Sequence, residues 1–230
     1  MNRVAAAFVA LALSITLGVA AAPHQPDYRL VKRDTPLYSI AVIGDSYTTG
    51  GDWGGLGSQG WTTRAWQWLA KRGVQVAPDV AAEGGAGYVV PGNRGNVFEG
   101  LAARSAQPND ALVVFYGSRN DHDADPNVVA GAARSALGVA RRGAPNARLL
   151  VIGPPWPTDD VPDNVWRVRD ALAAEAAAVG ATFIDPLAEH WFVGRPELIG
   201  KDGIHPTDAG HAYMADKIAP LILAQLPLHV

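Results

Sequence analysis

The sequence predicts an α/β domain built on a parallel sheet covered on both faces, and three observations predict it. Short apolar runs rich in valine, isoleucine and leucine recur along the chain. Helical patterns with one apolar stripe separate them, which is the alternation of a parallel sheet with crossover helices. Each apolar run ends in glycine, asparagine, aspartate or proline, so polar groups collect at one edge of the sheet.

The first strand is Ile40 to Ile43, four apolar residues running into Gly44-Asp45-Ser46. Ligands in open α/β sheets sit outside the carboxyl ends of the strands. Ser46 is therefore a candidate nucleophile, although Gly-Asp-Ser is also an ordinary turn. Tyr47 to Gly60 holds six glycines and reads either as a flexible loop or as a substrate-side loop beside Ser46. It lacks a Gly-Lys-Ser/Thr ending and is no phosphate-binding loop. Trp61 to Arg72 has Trp61, Ala65, Trp68 and Leu69 at helical spacing, with Gly73 as the stop.

Val74 to Ala82 is the second strand and leads into Glu83-Gly84-Gly85. A short helix is expected over Val97 to Arg104. Ala111 to Tyr116 is the third strand, ending in Gly117-Ser118-Arg119-Asn120-Asp121. Asn127 to Arg142 is an alanine-rich helix with Val129, Ala133, Ala136, Leu137 and Ala140 facing inward. Arg148 to Ile152 is the fourth strand. Asp163 to Val179 is a helix whose stripe is Val165, Val168, Leu172, Ala176 and Val179. Thr182 to Ile184 is a short fifth strand, and residues 187–206 read as loop. A terminal helix runs from its cap at Thr207 to about Leu226, where Pro220 should kink or divide it.

Composition narrows the function. The chain has 230 residues and a net charge of −3, so no basic excess recruits nucleic acid. It has no cysteine, which excludes disulfides, zinc–thiolate sites and a thiol nucleophile. Arg3, the apolar run Val4 to Val19 and Ala20-Ala21-Ala22 read as a secretory signal peptide over residues 1–22. An uncleaved anchor helix is the alternative. Both put the domain of residues 37–230 outside the cytoplasm, behind a proline-containing linker at 23–36.

A serine needs a base, and the base needs a carboxylate to fix its tautomer. Asp202-Gly203-Ile204-His205-Pro206 sets acid and base three apart on a loop, where the carboxylate can fold back onto the imidazole. Asp208 and His211 repeat the spacing inside the terminal helix, where they should project outward side by side. The loop pair is preferred. Oxyanion donors are available after the second strand, at Gly84-Gly85, and after the third, at Asn120. Asp121-His122-Asp123 reads as a solvated loop rather than a metal cluster. Tyr88, Trp156, Trp191 and Phe192 read as pocket lining or as ordinary packing.

These blocks resemble the SGNH hydrolase family, also called GDSL esterases and lipases. Gly44-Asp45-Ser46, a glycine after strand two, Gly-x-Asn-Asp as Gly117 to Asp121, and Asp-x-x-His-Pro as Asp202 to Pro206 occur in order. The likeness spans about residues 38–222. It implies a flavodoxin-like three-layer α/β/α sandwich with a five-stranded parallel sheet. It implies Ser46 as nucleophile, His205 as base and Asp202 as its orienting acid. It implies an oxyanion hole of Ser46, Gly85 and Asn120, Gly85 being preferred to Gly84 by counting from the strand. The third block is one residue longer than the family pattern, and the second lacks its usual asparagine. The implied activity is ester hydrolysis through an acyl-enzyme, by a monomer with no metal or organic cofactor. Acyl transfer to, or deacylation of, envelope glycans or lipids is the alternative, and a non-catalytic glycan- or lipid-binding domain a third.

Overall fold

Ile40 and Val42 point to one side of the sheet and Ala41 and Ile43 to the other, and all four are fully buried. A strand buried on both faces must be central, and this one is. The computed structural model describes residues 36–227. In it β1 (Leu37–Gly44) lies between β2 (Gln75–Ala82) and β3 (Asp110–Tyr116), followed by β4 (Arg148–Ile152) and β5 (Thr182–Ile184). All pairs are parallel and the order is β2-β1-β3-β4-β5. This is the expected flavodoxin-like sandwich. The order reverses between β1 and β3, and the crevice at such a switch point is where this architecture binds ligands. The leader read at 1–22 and nearly all of the linker lie outside the described residues.

Among the described residues six α-helices complete the layers: α1 (Ser46–Thr49), α2 (Trp61–Ala70), α3 (Phe98–Ser105), α4 (Pro126–Gly143), α5 (Asp163–Ala178) and α6 (Asp208–Gln225). On one face Ile40, Val42, Leu112 and Val114 pack against Trp61, Leu69, Met214 and Ile218 of α2 and α6. On the other, Ala41, Ile43, Val113 and Phe115 meet Leu101, Leu137 and Leu172 of α3, α4 and α5. The five inward positions read in α4 are its five buried residues. Arg134 of α4 forks onto Glu175 of α5, its Nε donating to Oε2 at 2.9 Å.

One expectation is corrected here. Pro220 does not divide the terminal helix: α6 is continuous from Asp208 to Gln225. The buried face of Met214, Ile218 and Ile222 holds it to the sheet, which outweighs one lost backbone hydrogen bond. α5 ends at Ala178, and Val179, its C-cap, still packs against the core that Val168, Leu172 and Ala176 enter. Pro78 sits within β2, where proline is tolerated because β2 is an edge strand.

Candidate active site

The turn after β1 starts with Asp45, whose carboxylate caps α1 by accepting from the Tyr47 amide at 2.8 Å. Gly44 has no room for a side chain, because a Cβ there would collide with Thr48. The chain thus turns sharply and leaves Ser46 half-buried at the sheet edge. Burial pushes the Asp45 carboxyl up to about 7.

The segment before α6 closes over this turn. Gly200 donates to the His205 carbonyl at 2.7 Å and Thr207 donates to that of Leu198 at 2.9 Å. Gly203, at a φ of +70°, allows the turn between. Asp202 Oδ1 accepts from the amides of Ile204 and His205, and Asp202 Oδ2 lies 2.6 Å from His205 Nδ1. His205 Nε2 is 3.1 Å from Ser46 Oγ. Partial burial would raise the Asp202 carboxyl, but hydrogen bonds from His205 and Ile204 hold it below its ordinary value. The Tyr47 hydroxyl donates to the Ile204 carbonyl at 2.5 Å and fastens this loop to the serine turn.

Asp208 and His211 are not a second dyad: Asp208 projects outward and is exposed as expected, whereas His211 turns inward. His211 is fully buried, and its Nδ1 accepts from the Trp61 amide. Burial lowers its pKa to about 4. Asp208 accepts from the Gly55 amide at 2.9 Å. The two residues pin the glycine-rich loop to α6, so that loop is tethered rather than free.

Gly84, Gly85 and Asn120 line one cleft with Ser46 and His205, about 370 Å³ in volume. The amides of Ser46, Gly84 and Gly85 have no acceptor among the described residues. Gly85 has a φ of +80°, which favours glycine. The Asn120 side-chain amide donates to the Ala86 carbonyl at 2.8 Å. A smaller hollow of about 220 Å³, bounded by Gly50, Asp52 and Trp53, opens on the other side of Ser46. A larger one of about 430 Å³, lined by Pro157, Val193 and Arg195, contains none of the predicted site residues.

Two supports of this cleft escaped sequence reasoning. Asp121 is fully buried and accepts from the amides of Tyr88, Val89 and Val90 at 2.7, 3.0 and 2.9 Å and from Ser118 Oγ at 2.7 Å. The solvated-loop reading therefore fails for Asp121, whose four donors replace water. Glu83 accepts from the amides of Arg94 and Asn96 and from the Asn96 side chain. Burial would raise this carboxyl, yet those donors hold it below its ordinary value. Together they brace the loop that carries Gly84 and Gly85. Tyr88, Trp191 and Phe192 are core residues; Trp156 lies beneath the guanidinium of Arg119, which lines the cleft. No group of three or more metal-ligating side chains occurs among the described residues.

Comparison with known proteins agrees with this architecture. The model of the GDSL-like lipase/acylhydrolase family matches residues 42–213. GDSL lipase Rv0518 of Mycobacterium tuberculosis is 58% identical over 229 residues, covering 98% of this chain and 99% of its own. The crystal structure of TesA superposes with a TM-score of 0.66 at 25% identity, over 82% of this chain and 99% of that one. The aryl esterase of M. smegmatis shares the fold, with a TM-score of 0.61 at 18% identity over 82% of this chain and all of that one. The chain belongs to the GDSL-like lipase/acylhydrolase family and is an ester hydrolase.

Proposed function

We propose that this protein is an exported serine esterase working through Ser46, His205 and Asp202. The observation that carries the reading is the continuous line from Asp202 Oδ2 to His205 Nδ1 at 2.6 Å and from His205 Nε2 to Ser46 Oγ at 3.1 Å. Asp202 holds the imidazole with its proton on Nδ1, so Nε2 is free to accept one. His205 takes the Ser46 proton as Oγ attacks the ester carbonyl. The tetrahedral oxyanion is held by the free amides of Ser46 and Gly85 and by the Asn120 side chain. The protonated His205 then gives its proton to the departing alkoxide. Water, activated by His205, hydrolyses the acyl-Ser46 ester. The leader read over residues 1–22 supports export.

Ser46→Ala and His205→Ala should each lower kcat on a short activated ester by about 10⁴-fold or more. A fluorophosphonate should label wild-type protein at Ser46 and leave Ser46→Ala unlabelled. Turnover near the wild-type rate in either variant refutes the assignment.

A further inference from the structure

Arg119 occupies the position that lengthens the third block, and it faces the same cleft as Ser46 and His205. The chain makes room for it with unusual backbone. Gly117 has a φ of +141° and Ser118, which is not glycine, a φ of +83°. A left-handed non-glycine residue costs about 1 kcal/mol or more. The Ser118 hydroxyl recovers part of this by donating to Asp121. The strained pair delivers Arg119 at the start of a single turn that also carries Asn120.

The guanidinium is positioned yet unpaired. Its carbon lies over the Trp156 ring, 4.5 Å from the centre, so the indole face holds the cation in place. No carboxylate lies within 4.0 Å of it among the described residues. Its Nε is buried and donates to nothing. An unsatisfied buried donor on a charged group is costly unless a ligand completes it. The neighbouring acid, Asp121, is saturated by its four donors; Asp45 gives Oδ1 to the Tyr47 amide, has Oδ2 3.5 Å from Asn120 Nδ2, and attracts Arg119 through space without pairing with it. Every other residue lining the cleft is uncharged or belongs to the serine turn and its histidine.

We propose that Arg119 is a specificity residue that binds an anionic oxygen group, a carboxylate or a phosphate, carried by the ester substrate close to its scissile carbonyl. The planar fork matches two oxygens of such a group and would occupy the idle Nε. The inference rests on Ser46 being the nucleophile of this cleft. The anion could lie on the acyl side, as in a half-ester of a dicarboxylic acid, or on the alcohol side, as in a phosphorylated or carboxylated alcohol.

The experiment compares paired esters in wild type, Arg119→Gln and Arg119→Lys. The acyl-side pair is 4-nitrophenyl hemisuccinate against 4-nitrophenyl butyrate. The alcohol-side pair is 4-acetoxybenzoate against phenyl acetate. Taking the anionic-to-neutral ratio of kcat/KM for each enzyme cancels intrinsic reactivity. In one of the pairs that ratio should fall by about 10- to 100-fold in Arg119→Gln, the range expected of a charge-assisted hydrogen bond. Arg119→Lys should fall between, since it keeps the charge and loses the fork. Added salt should lower the wild-type ratio more than that of Arg119→Gln. An unchanged ratio in both pairs overturns the proposal. So does an equal loss on neutral and anionic esters, which would make Arg119 a partner of the oxyanion instead. Should Arg119→Gln not fold, the lysine variant and the salt series carry the same decision. Failure of the serine reading is separable: Ser46→Ala would then hydrolyse the neutral esters as wild type does.

Discussion

The hydroxyl of Tyr47 and the carbonyl of Ile204, 157 positions apart, are joined by a 2.5 Å hydrogen bond. Tyr47 follows the candidate nucleophile and Ile204 precedes the candidate base, so this bond sets the distance between them. The ring is clamped edge-on by Tyr116 and Phe192. Tyr47→Phe keeps that packing and deletes only the donor. It should cost about 1 kcal/mol of stability and lower kcat by about 10-fold, because small displacements of a base are expensive. Steady-state kinetics alongside denaturant unfolding reads both, and a full wild-type kcat would show that the loop holds its place unaided.

Asn120 is expected to act on charge that develops during reaction rather than on the resting ester. Asn120→Ala should therefore reduce kcat by about 10²- to 10³-fold with little change in KM. A variant that raised KM and left kcat intact would move Asn120 from the oxyanion to ground-state binding.

Asp45 and His211 predict opposite pH dependences of stability. Folded Asp45 titrates near 7 against an ordinary value of 3.8. Between those limits the native state holds a proton the unfolded state releases, so this group makes stability fall as pH rises. Folded His211 titrates near 4 against 6.5. There the unfolded state holds the extra proton, so this group makes stability rise with pH. Each slope is about 1.4 kcal/mol per pH unit, and they oppose one another from about pH 4 to 6.5. Relative to wild type, Asp45→Asn should gain stability with rising pH across that window and His211→Gln should lose it. Urea unfolding at a series of pH values measures this; slopes of the same sign in both variants would contradict it.

Gly55 has a φ of +82°, and a Cβ there would run into the His211 ring. Gly55→Ala should destabilise the protein by about 2–4 kcal/mol, combining backbone strain with overpacking. A melting temperature within a degree or two of wild type would mean that the loop shifts freely.

The sheet was readable because its inner strands β1, β3 and β4 are short apolar runs with polar terminators and helices such as α4 carry their own stripe, as in Val129 to Ala140. The serine and the Asp202–His205 pair were readable because acid and base are neighbours in sequence. What stayed hidden depends on distance. Asp121 looked solvated because its donors, the amides of Tyr88 to Val90, come from a loop some thirty residues earlier. Glu83 had no visible partner for the same reason. His211 looked exposed because helical spacing says nothing of the glycine-rich loop that covers it. Backbone amides carry no side-chain signature, so a carboxylate bound by them leaves no motif.

Ser46 and His205 lie 159 positions apart; one follows the first strand of the sheet while the other just precedes the last helix. No chain that ends before residue 205 can hold both. Because such long-range contacts close late in folding, esterase activity during refolding should appear together with the burial of Trp61 and Trp191 and never ahead of it. A nascent chain lacking its final helix should be catalytically silent, which makes turnover itself a gauge of whether the whole domain has been assembled.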